Sequence, residues 1–202
     1  MKIVHVETLI SAGEFADSRQ WKTLRLQLHR AIKGVVWPPG SNKFTIYPHS
    51  GKKRGEGNGV KPIKNECIAE LLAHGWTMET QFTDERFSAL GGLDATRLTR
   101  NGRVAMEWET GNISSSHRAI NKMALCLLRG QLVAGTLVVP SRRLYRFLTD
   151  RIGNFAELEP YCDLWRSIPC ANGVLEIVVI EQDAESTSVP RIPKGTDGRS
   201  QA

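Results

Sequence analysis

Apolar positions along the chain follow two different spacings, and the changes between them mark the predicted elements. An apolar run over residues 3–9 predicts a strand near the N-terminus. Residues 17–32 predict a helix instead, because their apolar side chains recur at helical spacing: Trp21, Leu24, Leu28 and Ile32. Either Asp17 or Ser18 suits the N-cap of this helix, and Gly34 suits its end.

The middle and end of the chain alternate between amphipathic segments and short apolar runs. Residues 61–76 predict a helix, with Pro62 in its first turn and Gly75 at its end. Residues 93–110 predict a β-hairpin around Arg100-Asn101-Gly102, since Asn-Gly is a typical hairpin turn. The other predicted elements are a strand and turn over 77–87, helices over 116–130 and 141–154, and strands over 135–140 and 173–181.

This order of elements predicts an α/β fold in which helices flank a mixed central β-sheet. The chain has 202 residues, of which 41% are hydrophobic, and that is enough for one domain with a sizeable core. We place this single domain at residues 1–182. Residues 183–202 are polar with scattered prolines, and they predict a C-terminal arm or tail.

The charge of the chain narrows the class of partner. Its formal net charge is +6, which is compatible either with a polyanion such as nucleic acid or with a solvated basic surface. The loop over residues 48–62 is rich in glycine and lysine, but it lacks the order of residues of a nucleotide-binding P-loop. This loop is either a flexible connector or an arm whose basic side chains neutralise DNA phosphates: Lys52, Lys53 and Arg54.

The cysteines indicate the cellular compartment, and the length of the apolar runs indicates whether the chain crosses a membrane. No CxxC pair and no histidine pair at zinc spacing occurs, so the four cysteines predict reduced, buried thiols in a cytoplasmic protein. The first residues lack the apolar core of a signal peptide. No apolar run approaches the roughly 18–20 residues that a transmembrane helix needs, so we predict no membrane span.

Three acidic residues in and beside the predicted hairpin are the candidate catalytic group. Glu107 and Glu109 are two residues apart on one strand and therefore point to one face, while Trp108 points to the other. A bend or displaced register would bring Asp94 beside them from the neighbouring strand. Three adjacent carboxylates repel one another unless a cation lies between them, and oxygen ligands favour Mg²⁺, Mn²⁺ or Ca²⁺ over zinc.

In a basic protein, such a group suits phosphodiester hydrolysis. Asp94 and Glu107 would hold the metal, with the Trp108 carbonyl as a further ligand, and the metal would polarise the phosphate and acidify water. Glu109 would orient or deprotonate that water, or bind a second cation, at a position where many metal nucleases place a lysine. The helix that follows offers free backbone N–H groups to phosphate. The alternative is that all three acids are solvent-facing strand residues.

Four stretches of the sequence resemble the BglII/BamHI group of type II restriction endonucleases, in the PD-(D/E)xK nuclease superfamily. They are GLDATRL at 92–98, VAMEWETGNISSSHRAINKM at 104–123, PSRRLYRFLTDRIGNFAELEPYCDLW at 140–165 and VPRIPKGTDGR at 189–199. The resemblance covers nearly the whole chain. It implies a restriction-endonuclease-like mixed sheet and a homodimer that wraps duplex DNA. Each subunit would cut one strand of a palindrome with Mg²⁺, for which Mn²⁺ can substitute, and a cognate DNA methyltransferase would be encoded nearby.

The resemblance also assigns roles to residues of the active site. Asp94 and Glu107 match the metal ligands, and Glu109 matches the third active-site position. The helix before the hairpin carries a polar active-site residue in these enzymes, and either Asn65 or Glu66 could fill that place.

The resemblance also implies DNA contacts, near the predicted helices 116–130 and 141–154. Asp150-Arg151, Asn112 and Ser114 stand where the family reads bases, and arginine, aspartate and asparagine are residue types suited to base edges. Other basic residues fit a phosphate-contact role: Arg118, Lys122, Arg142, Arg143 and Arg146. The alternatives are an exposed ion pair for Asp150-Arg151 and a solvated helix lysine for Lys122. Two other functions stay open, a non-catalytic sequence-specific DNA-binding protein and a structure-specific repair nuclease.

Overall fold

The computed structural model describes residues 1–50, 56–80, 90–109, 111–149 and 152–194, apart from the side chain of Glu79. The strands in these ranges are β1 (Lys2–Ala12), β2 (Thr45–Ile46), β3 (Thr77–Thr80), β4 (Leu93–Thr99), β5 (Gly102–Trp108), β6 (Ala134–Pro140), β7 (Gly173–Glu181) and β8 (Ala184–Glu185). The helices are α1 (Gly13–Asp17), α2 (Arg19–Gly34), α3 (Lys61–Ala73), α4 (Ile113–Leu128), α5 (Arg142–Tyr145), α6 (Phe155–Leu158) and α7 (Cys162–Arg166), with a 3₁₀ turn at Glu159–Tyr161.

A six-stranded sheet forms the centre of the molecule, in the order β1-β7-β6-β5-β4-β3. Strands β5, β6 and β7 run parallel to one another, while β3, β4 and β5 form an antiparallel meander and β1 is antiparallel to β7. Both neighbours of β6 are parallel, and all seven of its residues are buried, as expected for a strand covered on both faces. The predicted mixed sheet is therefore confirmed.

Helices cover both faces of this sheet. On one face, α2 and α3 bury a core that includes Trp21, Leu28 and Leu71. On the other face, α4, α6 and α7 bury a second core around Met123 and Trp165. Alternate residues of each strand feed the two cores, so β5 sends Met106 to the first and its neighbour Ala105 to the second. No helix in the described ranges is long and apolar enough to cross a bilayer.

Helix α2 forms as its sequence predicts. Ser18 is the N-cap, and its Oγ accepts a hydrogen bond of 3.1 Å from the Trp21 N–H. This contact satisfies one of the four N–H groups that lack a partner within the helix, and it chooses Ser18 over Asp17. Gly34 is the last helical residue, as expected.

The predicted hairpin is confirmed, but its turn lies one residue earlier than the predicted Asn101-Gly102, because Gly102 already pairs in the ladder. Thr99 pairs with Gly102, so Arg100 and Asn101 form a two-residue turn between β4 and β5. Gly102 has φ +133°, and a Cβ atom there would lie 2.6 Å from Val133 Cγ1. Glycine is therefore required at this position both for its backbone angle and for its close approach to the neighbouring loop.

The helix predicted over residues 141–154 is wrong beyond Tyr145, where α5 ends. The chain after it makes two turn hydrogen bonds, from the Phe147 and Leu148 N–H groups, and then bonds to a distant loop. Asn58 donates its backbone N–H to the Phe147 carbonyl at 2.8 Å, and its own carbonyl accepts from the Thr149 N–H at 2.9 Å. Asn154 is the N-cap of α6, and its backbone N–H donates to Glu157 Oε2 at 3.3 Å. Tertiary backbone contacts therefore replace the helical ones.

The C-terminal arm packs along the body of the protein as far as the structure describes it. Strand β8 pairs in parallel with β2. Ile192 is buried, and its backbone N–H donates to Asn58 Oδ1 at 3.1 Å while its carbonyl accepts from the Gly59 N–H at 2.9 Å. The Trp37 indole N–H donates to the Pro190 carbonyl at 2.7 Å. Residues 183–194 are thus held by specific contacts.

All four cysteines carry free thiols. Cys67, Cys126 and Cys162 are buried, as predicted, whereas Cys170 is partly exposed. Burial raises the pKa of the Cys126 thiol to about 11, so this sulfur is neutral and unreactive at pH 7.

An ion pair between a partly exposed arginine and a buried glutamate joins α2 to the sheet, away from the candidate catalytic residues. Arg25 Nε lies 2.8 Å from Glu176 Oε2, and the Glu176 side chain is 1% exposed. Thr136 Oγ1 donates to the other carboxylate oxygen at 3.3 Å. Burial raises the pKa of the Glu176 carboxyl, and Arg25 partly offsets that effect.

We expect Arg25→Met to lower the free energy of unfolding by about 3 kcal/mol at pH 7, because it leaves a buried carboxylate without its counter-charge. A carboxyl whose folded pKa is raised costs stability as the pH rises through that pKa, so the deficit should grow between pH 4.5 and 7. Urea unfolding of both proteins across this range measures it. Arg25→Met/Glu176→Gln is the control and should regain much of the loss, and a deficit independent of pH would contradict the explanation.

Candidate active site

A cavity of about 180 Å³ opens where β4 begins and β5 ends, between α3 and α4. The register of the hairpin creates this cavity. Ala95 pairs with Met106, so Asp94 lies beside Glu107 on the neighbouring strand. Asp94 thereby meets the end of β5, and its Oδ2 accepts a hydrogen bond of 2.9 Å from the Trp108 N–H. The cavity is lined by Lys64, Asp94, Glu107, Trp108, Glu109, Gly111, Ser115, Arg118, Ala119, Lys122 and Leu137.

The three predicted carboxylates all line this cavity. Asp94 Oδ1 lies 2.5 Å from Lys64 Nζ, Glu107 contacts the Lys122 ammonium, and Glu109 Oε1 accepts from the Gly111 N–H at 2.5 Å. Among the described residues, no three acid, histidine or cysteine side chains converge closely enough to form a metal-binding group as they stand. The fold therefore brings the acids to one place, and each is turned toward a protein partner.

Burial disfavours charge on the central carboxylate. Glu107 is 8% exposed and Glu109 is 4% exposed. Burial raises the pKa of Glu107, the neighbouring Asp94 carboxylate adds to this effect, and Lys122 partly offsets it. Carboxylate oxygens and a backbone carbonyl are the donors that hard divalent cations prefer, so the residues at this place fit such an ion.

The Trp108 side chain lies on the opposite face from the acids, as predicted. It is 3% exposed and packs in the core beneath α2 and α3. The large indole anchors the end of β5 in the core, while Glu107 and Glu109 face the cavity.

Lys64 is a site residue that the sequence reasoning missed. It lies on α3 and lines the cavity, whereas Asn65 and Glu66, the predicted residues of this helix, are exposed and are not among the lining residues. Glu66 Oε2 accepts from the Val36 N–H at 3.2 Å instead. The helical spacing could have indicated this lysine. Lys64 precedes the buried residues Cys67, Ile68 and Leu71 by three, four and seven positions, so it lies on the same inward side of the helix.

Lys122 lies inside the site, although the sequence favoured a phosphate contact or a solvated lysine. It is 8% exposed. Its ammonium contacts Glu107 and donates to the Gly92 carbonyl at 2.6 Å, which ties α4 to the start of β4. These contacts give Lys122 a structural role within the cavity.

The start of α4 presents polar groups next to the acids. Asn112 is the N-cap, and its Oδ1 accepts from the Ser115 N–H at 3.2 Å. Asn112, Ser114 and Arg118 are exposed, and Arg118 also lines the cavity. These three predicted DNA contacts are therefore accessible from solvent. The others lie outside the described residues: Lys52, Lys53, Arg54, Asp150 and Arg151.

The backbone after residue 151 is attached to residues 111–112, which follow the candidate acids. Ile152 bridges to Asn112, and the Gly153 N–H donates to the Gly111 carbonyl at 2.9 Å. A Cβ atom at Gly153 would overlap Ser116 Oγ and lie 3.1 Å from Ile113 Cα. The close approach of the two segments therefore requires glycine at 153.

Comparison with known proteins gives a consistent picture. The family model described as restriction endonuclease BamHI matches residues 1–199. The chain is 45% identical over 199 residues to the type II restriction enzyme OkrAI of Oceanobacter kriegii, covering 98% of each chain. It is 35% identical over 181 residues to the type II restriction enzyme BamHI of Bacillus amyloliquefaciens, covering 86% of this chain and 81% of the relative.

The fold has a solved counterpart. The crystal structure of restriction endonuclease BglII complexed with a DNA 16-mer superimposes with a TM-score of 0.61, at 13% identity, and the match covers 95% of this chain and 88% of that chain. At this identity the likeness establishes the restriction-endonuclease fold alone. Together with the family match over nearly the full length, it confirms the resemblance found in the sequence: the chain belongs to the BamHI family of restriction endonucleases.

Proposed function

We propose that this protein is a type II restriction endonuclease that cleaves double-stranded DNA at a short palindromic site by Mg²⁺-dependent phosphodiester hydrolysis. Membership of the family makes it a site-specific deoxyribonuclease, an enzyme class that generally requires a divalent metal. Mg²⁺ is the proposed metal, and Mn²⁺ the proposed substitute. The observation that carries the proposal is the placement of Asp94, Glu107 and Glu109 around one solvent-accessible cavity.

The residues of this cavity divide the chemistry between them. Asp94 and Glu107, with the Trp108 carbonyl, would hold the cation, which supplies charge stabilisation to the reacting phosphate when it is bound. Glu109 lies two residues further on and would orient the attacking water and accept its proton. Asp94 is held in place for this role by the Trp108 N–H.

DNA would lie across the exposed start of α4. Asn112 and Ser114 at the helix N-terminus would contact base edges, together with Asp150 and Arg151, and Arg118 would contact phosphate beside the cavity. The loop residues Lys52, Lys53 and Arg54 would add phosphate contacts. The net charge of +6 supports binding to a polyanion.

A second copy of the chain would complete the enzyme, because a palindrome presents the same bases twice around a two-fold axis. Helices α4 and α7 and the 3₁₀ turn before α7 carry large apolar side chains on the surface: Leu125, Leu128, Tyr161 and Leu164, the first 37% and the last 63% exposed. These helices pack on each other, since the Trp165 indole N–H donates to Asn121 Oδ1 at 2.8 Å. We propose that this apolar surface is the homodimer interface.

The cellular setting follows from the activity. A restriction endonuclease in the cytoplasm would cut the host's own DNA unless a methyltransferase modified the same sites. We propose a cytoplasmic location and a cognate DNA methyltransferase encoded nearby. Residues 1–182 would form the nuclease domain, with 183–202 as the arm.

A cleavage assay tests this function against the two alternatives. Purified protein is incubated with long unmethylated DNA in Mg²⁺, with EDTA as the metal-free control, and the ends of the products are sequenced. Discrete fragments that share one short palindrome at their ends are expected. Tight binding without any cut in Mg²⁺ or Mn²⁺ would favour a non-catalytic binding protein, and cutting of branched DNA alone would favour a repair nuclease.

A further inference from the structure

We propose that Lys64 is a catalytic residue whose ammonium group contacts the scissile phosphate. This inference rests on the proposed nuclease function and adds a residue to it. The third position of the catalytic strand is Glu109, so the strand itself supplies no lysine there. Helix α3 supplies a positive charge at the acids from outside the hairpin, through Lys64.

The position of Lys64 supports this role. Its Nζ lies 2.5 Å from Asp94 Oδ1, so the charged end of the side chain faces the carboxylates. The side chain is 24% exposed and lines the cavity, so DNA can reach it. An ammonium has three N–H donors, and the contact with one Asp94 oxygen uses one of them.

Comparison with Lys122 separates the roles of the two lysines. The Lys122 side chain is 8% exposed, and it is held both by Glu107 and by the Gly92 carbonyl of a different segment. Lys122 therefore positions a carboxylate and fixes α4 to β4. Lys64 is three times more exposed and makes its ion pair at the rim of the same cavity, where a phosphate can approach.

The charges around the cavity give a reason for the contact. Asp94, Glu107 and Glu109 repel an approaching phosphate, and three cations of the lining oppose them: Lys64, Lys122 and Arg118. Lys122 is engaged by Glu107 and the Gly92 carbonyl, so Lys64 and Arg118 are the cations of this lining that a phosphate can meet. Negative charge spreads over the phosphoryl oxygens during hydrolysis, and a preplaced ammonium stabilises it more in the transition state than in the ground state. A cation at Asp94 would compete with Lys64 for that carboxylate and leave the ammonium free for the phosphate.

Three variants test the proposal. Lys64→Met removes the charge and keeps the length of the side chain, Lys64→Arg keeps the charge, and Lys22→Met is the control for an exposed lysine on α2. The readouts are the single-turnover cleavage rate at saturating enzyme, DNA affinity without divalent metal, and Mn²⁺ affinity without DNA. Circular dichroism checks that each variant is folded.

We expect Lys64→Met to cleave roughly 10²–10³-fold more slowly, as for the loss of one charge-stabilising donor, with Lys64→Arg recovering part of the rate. Mn²⁺ affinity without DNA should be unchanged or higher, because a competitor for Asp94 is gone. DNA affinity without metal should change by less than about tenfold. Lys22→Met should match the wild type in all three measurements.

Three results would overturn the proposal. Cleavage by Lys64→Met at the wild-type rate removes Lys64 from the chemistry but leaves the nuclease function intact. A loss of Mn²⁺ affinity parallel to the loss of rate, with no recovery in Lys64→Arg, makes Lys64 a positioning residue for Asp94. A wild-type protein that cuts no DNA in Mg²⁺ or Mn²⁺ overturns the proposed function and this inference together.

Discussion

Glu107→Gln is expected to slow DNA cleavage by roughly 10³-fold or more while leaving DNA affinity without metal within about tenfold of the wild type. The amide keeps the shape of the side chain but removes the charge from the most central of the three acids. It also leaves the buried Lys122 ammonium without the carboxylate that it contacts. Single-turnover cleavage and gel-shift titrations with the cognate DNA measure the two effects separately.

Glu70→Gln is the matched control for Glu107→Gln. Glu70 is a glutamate of α3 that pairs with His74 at 3.1 Å, and its side chain is 52% exposed. It does not line the cavity. An exposed pair of this kind contributes little, so the control should cleave like the wild type. Normal cleavage by Glu107→Gln would show that the cavity is not the catalytic centre.

The double substitution Leu128→Glu/Leu164→Glu is expected to convert the proposed dimer into monomers at micromolar concentration. These side chains are 45% and 63% exposed on α4 and α7, and a stable interface would bury them in an apolar patch of at least about 1,000 Å². The two-fold axis doubles each new charge, and a desolvated carboxylate without a partner is costly. Affinity for the palindromic site should fall roughly 10²-fold or more, because each subunit then holds half of it.

The dimer prediction is measured by analytical ultracentrifugation and by DNA binding. Leu98→Glu is the control, since Leu98 is 72% exposed on β4 and lies on neither of these helices. The control should sediment with the wild type. A double variant that remains dimeric would place the interface on another surface, and a monomeric wild type that still cuts both strands would remove the need for one.

Elements that depend on local sequence were predictable, and those that depend on distant partners were not. Helix α2 has its cap, its apolar face and its terminating glycine within 17 residues, so the pattern alone gave the helix. The segment after α5 reads equally well as a helix. It is not one because Asn58, about ninety residues earlier, takes the hydrogen bonds that a helix would have used.

The residues of the candidate site also fall into two groups, those that local sequence predicts and those that only the tertiary structure places. The meeting of Asp94 with Glu107 and Glu109 follows from a two-residue turn and from the alternation of a strand, both of which are local. Their partners come from α3 and α4, and no pattern within the hairpin indicates which lysine reaches which acid. The resemblance implied Asn65 or Glu66 as the polar residue of this helix, whereas the tertiary position of α3 places Lys64 beside the acids.

The hydrogen bond between Gly153 and Gly111 bears on any attempt to redesign the recognised DNA sequence. Residues 150 and 151, the proposed base readers, lie between Thr149 and Ile152, whose backbones are fixed by Asn58 and Asn112. A library of variants at 150 and 151 alone therefore changes the proposed base contacts while the flanking backbone at Thr149 and Ile152 keeps its hydrogen bonds. One that also varies Gly153 would push against Ser116 and move the segment after Glu109, and its members would lose turnover before they gained a new target.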